Sequence, residues 1–424
     1  MTTAPTTQPL QHKWLRIGGL LLFGLFFAYL DRSNLSVGIT NISEDLGFAG
    51  EAFAKTSSLT LTAFLFGYLI SNLLGGFLTA RIDAKWILVA TTAGFSLATA
   101  LIGFADSVGT LVALRVAVGI FEGIYWPQQF RIAKAWFDER EMTRASAMIQ
   151  YYGQYLALAL GFFILTPLEA SFGWRPMFWV LGAIGLLIVV PLYTKFLPTE
   201  SGGTAARATA DNSPSEQQPT SVERTDRKRL SFADFGGWKF VLIVFSYFTN
   251  GMLFWGITLF IPLVVPALGF APNLTGLLSA APYLASLLLT IPMMIISDRT
   301  GHRGAIATSG LIVGGILLAC LALTDSPGVQ MTLIIIGLGY FTASYTPNIW
   351  AIATASVPQH AVGPASGIIN GFGAGGGGIV AGALVGAILS SSGSYVPGLT
   401  VLGAAAILGG IALLVYILPH RAAR

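Results

Sequence analysis

Apolar residues in this chain come in long unbroken runs, without the alternation of a half-buried strand or the one-sided stripe of a surface helix. A helix needs about 20 apolar residues to cross the hydrocarbon of a bilayer. The sequence divides into twelve runs of that kind, at 15–40, 54–79, 86–105, 109–135, 143–168 and 174–196, then at 238–266, 273–296, 303–324, 328–352, 361–391 and 396–418. The short alternating segments of a membrane β-barrel are missing. The predicted fold class is an all-α membrane protein with twelve transmembrane helices in two six-helix halves, 15–196 and 238–418. Polar tails lie at 1–14 and 419–424, and a segment rich in Ser, Thr, Ala, Gln and charge at 197–237. That segment cannot bury a core and reads as a disordered linker.

The halves look duplicated. Sliding the chain by 218 positions lays Arg299 on Arg81, Arg303 on Lys85 and Tyr247 on Tyr29. Parallel repeats of this kind are a known transporter plan.

Composition agrees with the pattern. Of 424 residues, 54% are hydrophobic and only 10% charged, against roughly 25% charged in soluble domains. Lipid is therefore the expected partner of much of the surface. The lone cysteine, Cys320, excludes an intramolecular disulfide and a cysteine-based metal cluster. The first run is too long for a signal-peptide core and lacks a small-residue cleavage site, so it reads as a retained span.

Charge placement gives an orientation. Of the 23 Lys and Arg residues, Arg32 and Arg115 lie within spans, and Lys55 and Arg175 follow spans one and five. All the others fall at the termini or around the loops after spans two, four, six and eight. This asymmetry predicts an inner (plasma) membrane protein with both termini cytoplasmic. It also accounts for the basic pI of about 9.1 without a nucleic-acid surface.

Four formal charges stand deep in spans: Asp31, Arg32, Arg115 and Glu122, all in the first half. Each costs roughly 2.5–3.5 kcal/mol at mid-bilayer on insertion scales. Arg115 and Glu122 are seven apart, on one helix face, and Gly119 and Gly123 bracket Glu122 in a spacing that admits a second helix closely. A buried ion-pair network holding spans one and four together is the architectural reading. Against it, the charges gather in one half, and Arg32 falls on neutral Asn250 in the other. One half offering charge and the other hydrogen bonds reads as two walls of a substrate cavity.

An arginine fork suits a carboxylate or phosphate, so Arg32, one turn from Tyr29, is the candidate anion clamp. The four histidines, His12, His302, His360 and His420, lie at span ends or beyond. The remaining proton carriers are Asp31 and Glu122, with Arg115 as switch partner of Glu122. Neighbours on a helix point about 100° apart, so Asp31 is expected to turn toward span four. Mid-span polar and aromatic residues fill out the cavity: Gln150, Tyr151, Gln154 and Tyr155, the run Trp126-Pro127-Gln128-Gln129, and Tyr247, Trp255, Tyr345, Asn348, Trp350 and Asn370. Together they predict a ligand with several hydroxyls besides its carboxylate.

The run Gly371-Phe372-Gly373-Ala374-Gly375-Gly376 satisfies a dinucleotide-binding pattern literally. It follows no strand, and no acid stands about 20 residues on, so it reads as a closely packed helix segment. No Walker motif is present. No cofactor, metal or enzymatic activity is expected.

The loop Asp298-Arg299-Thr300-Gly301-His302-Arg303 resembles the signature of the major facilitator superfamily. The loop after span two departs from it, with Ala80 where that family has aspartate and Asp83 in place of a glycine. Within the superfamily, Tyr29-Leu30-Asp31-Arg32-Ser33-Asn34 is similar to the Tyr-x-Asp-Arg motif of the anion:cation symporter family. Arg115, Gly119, Glu122, Gly123 and Pro127 resemble its span-four signature. That family includes bacterial galactonate and hexuronate transporters and animal sialic-acid and vesicular glutamate carriers. The resemblance implies a pocket formed by Tyr29, Arg32, Tyr68, Gln154, Trp350 and Asn370, with Asp31 and Glu122 protonatable and Arg115 their partner. The expected function is proton-coupled uptake of a small organic anion, such as a sugar acid, by a monomer working through alternating access. The alternative is a proton-driven exporter of drugs or metabolites, against which the two arginines weigh.

Overall fold

The computed structural model describes residues 12–79, 82–203, 235–358 and 362–421. Ala80, Arg81, His360 and the body of the linker lie outside the described residues. Among the described residues, twelve helices are long and apolar enough to cross a membrane. The first six are α1 (Trp14–Asp45), α2 (Gly50–Gly75), α3 (Ala84–Ile102), α4 (Val108–Trp136), α5 (Met148–Phe172) and α6 (Trp174–Gly203). The second six are α7 (Trp238–Ala267), α8 (Pro272–Thr300), α9 (Arg303–Leu323), α10 (Pro327–Ala353), α11 (Pro364–Ser392) and α12 (Val396–Leu418).

The apolar pattern stops α1 near residue 40, whereas the helix runs on to Asp45. Its last turn is polar but satisfied: Asn41 donates to Glu169 of α5, and Trp174 donates its indole N–H to Asp45 at 2.8 Å. Gly47, with φ of 73°, then reverses the chain.

Small residues set the closest approaches. A Cβ on Gly119 of α4 would lie 1.8 Å from the Phe64 carbonyl oxygen of α2, so this pair of helices packs backbone to backbone, as the small-residue spacing predicts. The glycine run of α11 forms a π-helical segment, Ile369–Gly376. A Cβ on Gly373 there would meet the Tyr247 ring of α7 at 2.2 Å. The dinucleotide-like pattern is a helix-packing surface.

The loop between α2 and α3 has its own anchorage. Asp83 caps α3 by accepting the Lys85 N–H at 3.0 Å, and it also accepts the backbone N–H groups of Glu200 and Ser201. Arg131, at the end of α4, holds both carboxylate oxygens of Glu200 at 3.2 and 2.6 Å. The same guanidinium donates to the carbonyls of Thr79 and Ile82. Thus residues 199–201, at the start of the predicted linker, lie at the end of α6 and are tied to α4 and to the N-cap of α3.

The halves meet along two seams. On one, α2 packs against α11, with Ser58 donating to the Gly382 carbonyl and Asn370 donating to Asn72 at 2.7 Å. On the other, α5 faces α8 and α10. Phe162 packs on Tyr283 at 5.8 Å between ring centroids, and the Tyr155 hydroxyl donates to the Thr342 carbonyl at 3.4 Å.

Candidate functional site

The four buried charges come together at the middle of the N-terminal half, but in a different pairing from the one the spacing predicts. Arg32 donates through Nε to Glu122, and the two side chains are 1% and 0% exposed. Asp31 faces α3, accepting the Thr99 hydroxyl at 2.8 Å and the Asn34 amide at 2.8 Å. Arg115 reaches Asn34 Oδ1 at 3.5 Å.

Helix geometry explains both departures. The 100° step between adjacent residues does separate Asp31 from Arg32, but it is Arg32 that meets α4, and Asp31 is turned toward α3. Seven residues along α4 amount to about 10 Å of rise, so Arg115 and Glu122 share a face without sharing a partner. Thr99, a polar residue in the interior of an apolar span, was the available signal for the partner of Asp31.

Aromatic rings surround the Arg32 guanidinium. The Tyr29 ring centroid lies 4.2 Å from Arg32 Cζ, Tyr68 5.2 Å, Trp255 5.6 Å and Phe64 6.0 Å. Tyr29 is one helical turn from Arg32, which is why the two stack. Trp255 belongs to α7 of the opposite half and packs edge-on against Phe64 at 5.2 Å. A guanidinium over ring faces keeps electrostatic stabilisation when water is excluded. One of its terminal nitrogens, Nη1, is buried without a hydrogen-bond partner. Arg32 therefore has a spare donor enclosed by rings from both halves.

The other residues named from the sequence divide into two groups. Asn370 donates to the Tyr68 hydroxyl at 3.0 Å, joining α11 to the Arg32 cage. Trp350 lies 5.7 Å from Trp126 and 5.4 Å from Tyr247, and Trp126 is fixed by an N–H bond to Gln150 at 2.7 Å. These indoles cross from α4 to α10 and close the interface beside the cage. Gln154 is half-buried on α5 and is not hydrogen-bonded to Arg32. By contrast, Gln129 bonds the Leu21 carbonyl and the Tyr125 hydroxyl within the N-terminal half. Gln128 serves the Arg131 anchorage, and Asn348 accepts from Ser297. Those three are structural. Phe64 was missed by the sequence reading, since one phenylalanine among 28 carries no signal of its own.

The Major Facilitator Superfamily profile matches residues 21–381 and 243–424. The chain belongs to this superfamily. It is similar to the D-galactonate transporter of Escherichia coli O6:H1, with 24% identity over 94% of each chain. It also resembles the "Probable galactarate/D-glucarate transporter GudP" of Bacillus subtilis, 28% identical over 94% of this chain and 91% of that one. Its fold matches the inward-facing, unoccupied structure of a bacterial homologue of the human lysosomal transporter Spinster, with a TM-score of 0.69, 17% identity and coverage of 97% and 98%. The superfamily member is thus a twelve-span membrane transporter and not an enzyme.

Proposed function

We propose that this transporter takes up a small organic anion, a hydroxylated carboxylate of the sugar-acid type, together with protons. The observation that carries the reading is the Arg32–Glu122 pair, buried at mid-span and capped by Trp255 from the other half. A carboxylate already occupies the guanidinium. Placing a proton on Glu122 removes its charge and weakens its hold, leaving Arg32 for the carboxylate of the ligand. Loading the ligand and loading the proton then become one event. Asp31 and Arg115 keep the charge of the surrounding cluster balanced while this exchange takes place. Tyr29, Tyr68, Gln154, Trp350 and Asn370 contribute rings and neutral hydrogen-bonding groups for the hydroxylated remainder. The similarity to transporters named for galactonate and for galactarate/D-glucarate supports the sugar-acid class.

The two six-helix halves, 15–196 and 238–418, rock about the cage so that it opens alternately to each side, and the protein works as a monomer. The loops that carry the Lys and Arg excess, with both termini and the linker, lie in the cytoplasm of a plasma membrane.

The test is uptake of D-galactonate into proteoliposomes with and without an inward proton gradient. Accumulation above equilibrium under the gradient is the expected result. Expulsion of the anion by that gradient, or indifference to it, would overturn the symport reading.

A further inference from the structure

Sugar acids fall into two electrostatic classes. Aldonates and uronates carry one carboxylate, and aldarates carry two. Resting on the reading above, we propose that this site accepts organic anions with a single negative charge and rejects dianions of the same size and shape.

Cations are few at the interface between the halves. In the C-terminal half, the helix interiors contain no Lys, Arg or His: Lys239, Arg299, His302, Arg303, His360, His420, Arg421 and Arg424 all stand at span ends or beyond. What α7, α10 and α11 bring to the interface is neutral, with Tyr247 and Trp255 on α7, Trp350 on α10 and Asn370 on α11. In the N-terminal half only two span-interior cations exist, and they stand in different surroundings. Arg32 lies within a cage completed by Trp255 of the other half. Arg115 is 0% exposed and is met by Asn34 of α1 and the Phe64 ring of α2 at 5.1 Å. Both belong to its own half.

The charges of the cluster are also matched. Arg115 donates to Asn34, whose amide in turn donates to Asp31, and Arg32 is bonded to Glu122. One proton on Glu122 frees one guanidinium, which balances one carboxylate. A second carboxylate on the ligand would sit against tyrosines, tryptophans and amides in a dry interface. Amide and hydroxyl dipoles orient a carboxylate but do not neutralise it, and a buried charge without a counter-ion is strongly disfavoured.

D-Galactonate and galactarate form the matched pair for the test, because they differ only in oxidation of the terminal carbon. A third ligand, the mono-amide of galactarate, has the size of the dianion and the charge of the monoanion. Binding and uptake by the wild-type protein are measured at pH 7, beside Arg32→Ala. The expected result is that galactonate and the mono-amide bind within about tenfold of each other, with galactarate weaker by roughly 100-fold or more.

Galactarate within tenfold of galactonate, lost in Arg32→Ala, would overturn the single-charge rule and leave the anion reading standing. If the mono-amide failed with galactarate, size and not charge would be the discriminator, which also overturns the rule. If none of the three bound, the anion reading itself would fall, and this inference with it.

Discussion

In the N-terminal half, α1 carries Asp31 and Arg32 at mid-span; 218 positions later, α7 carries Thr249 and Asn250. The first pair is bonded outward, to α3 and α4. Thr249 is satisfied within its own helix, donating to the Ser246 carbonyl at 2.9 Å. The same division holds across each half. The first gathers four charges that need one another, while the second pairs neutral groups across its helices, Ser246 with Tyr345, Tyr283 with Thr258 and Ser286 with Thr342. A charged cluster changes its bonding when a proton arrives or leaves, whereas a neutral wall keeps its shape. The proposed coupling of an anion to a proton would draw on both behaviours, on opposite sides of one interface.

The strongest way to break this comparison is to remove the clamp and its counterpart in parallel. Arg32→Ala removes a buried charge partner, a loss of about 3–5 kcal/mol, and should lower anion uptake by more than about 100-fold. Asn250→Ala removes at most neutral hydrogen bonds of about 0.5–1.5 kcal/mol and should lower it by no more than about tenfold. Initial uptake rates in proteoliposomes compare the two. Equal losses would mean that the halves share the anion and that the asymmetry is only architectural.

Glu122→Gln sharpens the same contrast. The amide cannot carry a proton, yet it leaves Arg32 permanently released. Anion exchange across the membrane should persist at a rate within about tenfold of wild type. Accumulation driven by a proton gradient should vanish. Counterflow and gradient-driven uptake, measured on one preparation, separate these outcomes, and retained accumulation would remove Glu122 from the coupling.

A smaller effect is expected at Trp255, where the neutral half touches the charged one. A cation–π contact is worth about 0.5–2 kcal/mol depending on desolvation. Trp255→Ala should therefore raise KM by roughly tenfold, and Trp255→Phe, which keeps a ring over Arg32, should recover most of it. If both variants behaved like wild type, the contact with Arg32 would be packing only.

Much of this was legible in the sequence because burying a charge in lipid is so unfavourable that each instance marks itself. Asp31, Arg32, Arg115 and Glu122 could be named without coordinates, and so could the twelve spans. Their pairing could not. Which acid meets which arginine depends on how α1 is rotated between α3 and α4, and a 100° step leaves both arrangements open until the helices are packed. Phe64 was hidden for a different reason: a ring in a span is ordinary, and only proximity to Arg32 gives it a role. The residues Gln128, Gln129 and Asn348 looked like cavity groups for the converse reason. A mid-span amide must find partners, and these find them inside their own half.

The smallest effect concerns the anchorage of the linker, a feature for which the N-terminal half has a special need. Its loop after α2 has Ala80 where the family it resembles has aspartate, and Arg131 at the end of α4 bonds Glu200. Partial burial pushes the Asp83 carboxyl up, but the N–H groups of Lys85, Glu200 and Ser201 outweigh it and hold Asp83 below the usual carboxylate range. A depressed carboxylate contributes stability at pH values above its unfolded pKa of about 3.9. That contribution is lost as the pH falls through the lower, folded value. The amides of Glu200 and Ser201 should thus stay protected from hydrogen exchange from pH 7 down to about pH 4 and open below it, once the intrinsic exchange rate is divided out. Asp83→Ala, which removes the acceptor, should expose them at every pH, while Glu200→Ala, removing a partly exposed ion pair worth about 0–1 kcal/mol, should change uptake by less than about twofold. Protection that survived Asp83→Ala would mean that the Arg131 contacts alone secure the linker.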